Sequence, residues 1–193
     1  MIKVGITGGL GSGKSTVCKL FSLLGVPVYY SDEESKNILE SDVVVKAAVV
    51  REFGEGVLDL NGAIDRKLLA GIVFSDKNKL AKLNAITHPA VASHFAAWAE
   101  LHKNSPYILK EAAILFESGA DKQVDKVILV TAPQDLRIRR AMKRNRITAE
   151  LALLRINNQL SDSDKASRSH YIIVNDEQEM LIPQVLKTHT YLV

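Results

Sequence analysis

Residues Gly8–Thr16 read GGLGSGKST, between the apolar run Ile2–Thr7 and the segment VCKLF at residues 17–21. Gly8, Gly13, Lys14 and Ser15 satisfy G-x-x-x-x-G-K-[ST], with a strand expected before the motif and an amphipathic helix after it. Glycines at these places let backbone N–H groups approach phosphate oxygens, and the positive end of the following helix adds to the attraction. In such a loop Lys14 reaches the outer phosphates of a nucleoside triphosphate, and the Ser15 hydroxyl takes one position on Mg²⁺. A dinucleotide-binding G-x-G-x-x-G fails in both registers. Counted from Gly9 and Gly11 its last glycine falls on Lys14, and counted from Gly11 and Gly13 it falls on Thr16. The loop leaves open whether the terminal phosphate goes to water, to a protein or to a small acceptor.

Outward from the loop, Val17, Leu20, Phe21 and Leu24 recur at helical spacing, so the first helix buries one face, and Gly25 stands where its C-terminal cap is expected. Further apolar runs at Val26–Tyr30, Tyr107–Leu109, Lys126–Thr131 and Tyr171–Val174 read as strands. Helical patterns separate all five strands, which predicts an α/β protein with a parallel sheet. A plain crossover needs about a dozen residues, yet the second and third strands are separated by Asp32 to Ser105. That stretch predicts a helical insertion, with one helix capped by Asp65 and running through Val73. A second is capped by Ser75 and runs through Ile86, and a third is opened by Pro89 over Ala90–His102. After the fourth strand, a helix is expected from Pro133 to about Arg144, then another capped by Thr148 through Asn158.

The balance of charge is mild, +3 over 193 residues, and gives no argument for a nucleic-acid partner. Hydrophobic residues at 47% and charged residues at 24% are ordinary for a globular protein. The single cysteine, Cys18, excludes an intramolecular disulfide framework and suits a reducing compartment. With no secretory leader pattern and no bilayer-spanning run, the expected location is cytoplasmic, with no membrane partner. His88, His94 and His102 lack the spacing of a zinc site, and Cys18 is expected to be packed in the core.

An acceptor hydroxyl needs a carboxylate to take or orient its proton. Asp32 follows the second strand in VPVYYSDEES, where it serves either as that carboxylate or as the cap of the next helix. Glu111, after the third strand, is either a surface charge or an acid reaching Mg²⁺ through water. The run LRIRRAMKRNRIT holds Arg137, Arg139, Arg140, Lys143, Arg144 and Arg146. Arg137, Arg140 and Arg144 share a helix face, and arginines closing over transferring phosphate fit this place better than a nucleic-acid face without aromatics.

These residues together resemble the dephospho-coenzyme A kinase family. ITGGLGSGKSTV resembles that family's opening, FGEGVLDLNGAIDRKLLAGIVF its FG-x-x-[IV]-L…LDR-x-x-L-x-x-x-VF segment, LNAITHPAV its THP segment, ILFE its LLFE, and RRAMKRNRIT with LLRINNQL its lid. The resemblance implies a P-loop kinase fold of one domain: a five-stranded parallel sheet flanked by helices, with a core at 1–32 and 104–193, a helical acceptor-binding insertion at about 33–103, and a lid at about 137–160. It implies transfer of the γ-phosphate of ATP to the 3′-hydroxyl of dephospho-CoA, with Mg²⁺. Asp32 would be the base, Gly8, Gly9, Leu10, Gly11, Ser12, Gly13, Lys14, Ser15 and Thr16 would hold the nucleotide phosphates, and Arg140 and Arg144 would close over them. Arg66 and His88 would shape the acceptor pocket, and Asn175 would lie near the nucleotide base. The family usually has Asp where Glu111 stands, proline at Ala113, Asp at Asn145 and Ala-Asp at Ser169-His170. The nearest alternative is another nucleotide or small-molecule kinase. A regulatory GTPase is disfavoured: Asp59-Leu60-Asn61-Gly62 matches D-x-x-G, but the chain has no N-K-x-D guanine-reading motif.

Overall fold

The computed structural model describes residues 1–193, the side chain of Phe74 excepted. In chain order the elements are β1 (Ile2–Thr7), α1 (Lys14–Leu23), β2 (Val28–Tyr30), α2 (Ser31–Ser41), α3 (Val43–Phe53), α4 (Arg66–Phe74) and α5 (Lys77–Leu101). There follow β3 (Tyr107–Glu111), β4 (Lys126–Thr131), α6 (Gln134–Asn145), α7 (Ala149–Asn157), α8 (Asp162–Ser167), β5 (Tyr171–Val174) and α9 (Leu181–Thr190). Two compact units divide the chain: Met1–Tyr30 with Ala99–Val193, and Ser31–Trp98. Among the described residues no helix is long and apolar enough to cross a membrane.

The first unit holds a five-stranded sheet in the order β2-β3-β1-β4-β5, every pair parallel. Parallel strands covered on both faces are near-continuously apolar, and the middle of this sheet obeys: Val4, Ile6, Ile108, Leu109, Ile128, Val130 and Ile173 are fully buried. Val17, Cys18 and Phe21 of α1 and Val185 of α9 pack on one face, with the Phe21 and Tyr107 rings edge to face at 6.4 Å. Ala112, Leu115, Phe116 and Val127 form a second cluster with Val124 and Leu160.

The second unit has its own core, built from Ile38, Leu39, Val45, Val49, Val57, Ile64, Leu69 and Val73. Asp42 caps α3 and Asp65 caps α4, each accepting two backbone N–H bonds.

Three expectations are corrected. The second strand starts at Val28 rather than Val26, because the Val26 N–H closes α1 on Phe21 and Pro27 has no N–H to give. The third continues past Leu109 to Glu111, since Lys110 and Glu111 keep the ladder beside Gly5 and Ile6 although their side chains are charged. Pro89 opens no helix; it lies inside the single helix α5, whose cap is Asp76 and not Ser75. An interior proline costs about 3 kcal/mol. Here Leu80, Leu83 and Ile86 before it and Ala90 and Val91 after it all pack on the same core, so burial outweighs the break.

Candidate active site

β1 lies at the centre of the sheet, and the chain turns from its C-terminal end into α1 through Gly8–Gly13. Gly11 and Gly13 have φ of +81° and +92°, left-handed values that side-chain-bearing residues rarely adopt. Gly8 answers another demand: a Cβ there would strike the Val130 carbonyl of β4. Three consecutive carbonyls of the loop are held by protein donors. Arg137 Nε donates to Leu10 O at 3.1 Å, Arg140 Nη1 to Gly11 O at 3.5 Å, and Asn175 Nδ2 to Ser12 O at 2.8 Å. Those oxygens are turned toward protein donors rather than toward an incoming phosphate, and left-handed residues such as Gly11 and Gly13 are what a nest of N–H groups requires. α1 has no side-chain cap and no acid in its first turn, so its positive end is not neutralised locally.

Lys14, the first residue of α1, forms an ion pair with Glu111, the last residue of β3. Both side chains are nearly buried, at 11% and 6% exposure. Glu111 is therefore no surface charge: it stands beside the motif lysine. Ser15 is exposed one position further along α1. Among the described residues, no three His, Cys, Asp or Glu side chains converge to hold a metal by themselves. Mg²⁺ at phosphate-transfer sites relies on one or two protein oxygens completed by phosphates and water, and the Ser15 hydroxyl and Glu111 carboxylate are donors of that kind. Cys18, buried just behind the loop, is pushed up to about 12 by burial, which leaves it a packed thiol.

The arginines of α6 separate into three environments despite their common spacing. Arg137 is buried, pairing through Nη1 with Asp162 at 2.9 Å. Arg140 is partly exposed and makes four contacts: Gly11 O, Asn175 O at 3.1 Å, Asn175 Oδ1 at 3.4 Å and Glu177 Oε1 at 3.1 Å. Arg144 is exposed and bonds to its neighbour Asn145 at 3.2 Å. Asn175 follows β5, and a Cβ on Gly13 would overlap its amide, so the glycine and the asparagine are fitted to each other.

Sequence reasoning did not reach Gln159, Asp162 or Glu177. Gln159 Oε1 accepts from Leu10 N at 2.9 Å, and Asp162 receives both Arg137 and the Thr131 hydroxyl. No periodicity marks such residues, because their partners are up to 149 positions away in the chain. The glutamate of ILFE, Glu117, accepts from Leu160 N at 2.9 Å and pairs at 3.3 Å with the fully buried Lys165.

In the second unit Asp32 is exposed in the first turn of α2, two residues after the end of β2. Arg66 pairs with Glu40 at 2.7 Å, both exposed, and His88 is half-buried, its imidazole held below the usual range by burial.

A parallel sheet with the glycine loop at the C-terminal end of its central strand, a lysine at the head of the next helix and an arginine-rich helix against the loop define a P-loop phosphotransferase. The family model for dephospho-CoA kinase matches residues 2–180, and the chain belongs to that family. The dephospho-CoA kinase of Bacteroides fragilis is 41% identical over 191 residues, covering 99% of this chain and 93% of the relative. Among solved structures, a protein from Thermus thermophilus superposes with a TM-score of 0.84 at 32% identity, over 98% of this chain and 96% of that one. The dephospho-CoA kinase from Campylobacter jejuni does so with a TM-score of 0.73 at 25% identity, with the same coverage of 98% and 96%.

Proposed function

We propose that this chain transfers the γ-phosphate of ATP to the 3′-hydroxyl of the ribose of dephospho-CoA, giving CoA and ADP. The observation that carries the reading is the phosphate loop, with its carbonyls tied back and Lys14 at its end, in a chain whose family match runs from residue 2 to 180. Gly11 to Thr16 hold the phosphates, and Lys14 lies along the outer ones. Arg140 and Arg144 bear on the transferring group, where planar guanidinium forks match phosphoryl oxygens and offset developing charge. Mg²⁺, held by Ser15 with Glu111 near it, would neutralise phosphate charge when bound.

Asp32 takes the part of the base that orients the acceptor hydroxyl. Its support is its place in the chain, two residues beyond β2, at the strand end where ligands of open parallel sheets bind. Arg66 and His88 are assigned to the acceptor, and burial keeps His88 neutral near pH 7, suited to hydrogen bonding rather than to holding an anion.

The test is ADP release with ATP and Mg²⁺ and one of three additions: dephospho-CoA, a panel of nucleoside monophosphates, or no acceptor. Turnover confined to dephospho-CoA, with mass spectrometry showing CoA, is the expected result. Turnover with a nucleoside monophosphate would assign the insertion to another acceptor, and acceptor-independent release would make the chain an ATPase.

A further inference from the structure

The motif G-x-x-x-x-G-K-[ST] requires glycine at 8 and 13 but not at 9 or 11, where this loop also has it. The structure gives a reason outside the phosphates. A Cβ on Gly9 would run into the Arg137 guanidinium, and a Cβ on Gly11 would run into the Arg137 backbone carbonyl. Arg137 lies against the loop at this point, and Leu10, between the two glycines, is gripped through both of its backbone polar groups. Arg137 Nε donates to the Leu10 carbonyl at 3.1 Å, and Gln159 Oε1 accepts from the Leu10 N–H at 2.9 Å. The guanidinium is fixed in turn by Asp162 at 2.9 Å, and Asp162 is tied to the Thr131 hydroxyl at the end of β4.

We propose that Arg137 and Gln159 are positioning residues for the phosphate loop, that they hold the two peptide planes flanking Leu10 in the phosphate-receiving conformation, and that Gly9 is glycine in order to admit the Arg137 guanidinium. The proposal rests on the reading that this loop binds nucleotide phosphates. Preorganisation of a loop that contacts the phosphates before and during transfer strengthens ground state and transition state alike. Its loss therefore raises KM and leaves kcat nearly unchanged. That split separates Arg137 from an arginine acting on the transition state.

The experiment is ADP affinity by calorimetry, with kcat and KM for ATP, in six proteins: wild type, Arg137→Met, Arg137→Gln, Gly9→Ala, Gly9→Ala/Arg137→Gln and Gln159→Leu. Methionine keeps the length of the stem and removes the donors. Glutamine places an amide nitrogen where Nε was, so it can still donate to Leu10 while lacking the atoms that would meet a Cβ at 9. Arg137 is one of the residues lining an open cavity of about 480 Å³, with Ala132, Gln134, Ile156, Gln159 and Asp162, so space freed by a shorter side chain adjoins that cavity. Arg137→Met and Gln159→Leu are expected to weaken ADP binding about tenfold, with kcat changed by less than about threefold. Arg137→Gln restores most of what Arg137→Met loses. Gly9→Ala weakens ADP binding by about tenfold or more in the wild-type background and by less than about threefold in the Arg137→Gln background.

Equal losses from Gly9→Ala in both backgrounds would mean that the phosphates, not Arg137, require Gly9, and would overturn the proposal. So would wild-type ADP affinity in Arg137→Met, or a loss falling mainly on kcat. If Gly9→Ala does not fold, the Met-against-Gln comparison at 137 carries the test alone. Failure of the wild-type chain to bind ADP would instead sink the phosphate-loop reading on which the proposal rests.

Discussion

Replacing Glu111 by glutamine changes almost no volume and removes one buried charge, which makes it the sharpest probe of how the site is held before nucleotide arrives. The Lys14–Glu111 pair is nearly sealed from water, with side-chain exposures of 11% and 6%. Taking one partner from a pair this buried costs about 3–5 kcal/mol, because the ammonium keeps its desolvation penalty and loses its carboxylate. In a chain of this size each kcal/mol lowers Tm by about 2–4 °C, so Glu111→Gln should melt roughly 6–20 °C below wild type. ADP without metal then reverses the order of benefit. In wild type its phosphates must share Lys14 with Glu111, whereas in the variant they supply the missing negative charge. The ADP-induced rise in Tm, read by scanning calorimetry at saturating ADP, should be larger in the variant by several degrees. A Tm within about 2 °C of wild type, or an ADP-induced rise no greater than that of wild type, would refute the reasoning.

Asp32→Asn should lower kcat by about 10²–10⁴-fold with KM for ATP within about threefold, and an equal loss in both would make Asp32 a structural residue only. Arg144→Ala should lower kcat by about 10²-fold or more with Tm unchanged, since Arg144 is exposed and bonds locally to Asn145; an unchanged rate would return it to the solvated face. Arg140→Ala should lose ATP affinity as well as rate, because Arg140 also ties Gly11 to Asn175, and normal affinity would remove it from the nucleotide site. Lys110 provides a pH test: burial, with the nearby charge of Lys3, lowers its pKa from 10.5 to about 8. Below pH 8 the folded chain carries a buried ammonium at a penalty of about 3 kcal/mol; between 8 and 10.5 the unfolded chain binds the extra proton, so stability rises with pH. Lys110→Met should be more stable than wild type at pH 7, up to that amount, and should lack the rise expected of wild type in urea titrations from pH 8 to 10. Parallel curves for the two proteins would count against a buried, depressed lysine.

What could be read before the fold was known follows from where information is local. A buried parallel strand needs an apolar run, so all five strands were legible, and a phosphate loop needs glycines and a lysine at fixed offsets, so that too was legible. Errors fell where a polar or cyclic residue broke the local pattern while longer-range packing sustained the structure. Pro89 is such a case, as is the end of β3, where Lys110 and Glu111 look like a strand's exit but remain in the ladder. The same limit applied to the site. Spacing put Arg137, Arg140 and Arg144 on one face, yet the environments of Arg137 and Arg140 depend on Asp162, Asn175, Glu177 and the loop carbonyls, none of them near in sequence. Asn175 is the instructive exception: family likeness directed attention to it, but only the structure ties its amide to the Ser12 carbonyl.

Each of the three cations that touch the loop or begin its helix has a carboxylate partner: Lys14 with Glu111, Arg137 with Asp162, Arg140 with Glu177. Binding a polyphosphate is then an exchange of anions rather than a simple gain, and its cost differs from pair to pair. Glu177 is 60% exposed and Arg140 25%, so that pair is worth at most about 1 kcal/mol and yields readily to phosphate. Lys14 and Glu111 are nearly buried, and their separation is favourable only when phosphate arrives at the same place. Arg137, at 7% exposure and bound also to the Leu10 carbonyl, has the least reason to move. A gradient of exposure along one face of α6 thus turns three similar side chains into a fixed support, an exchangeable clamp and, in Arg144, an exposed arm bonded to its neighbour.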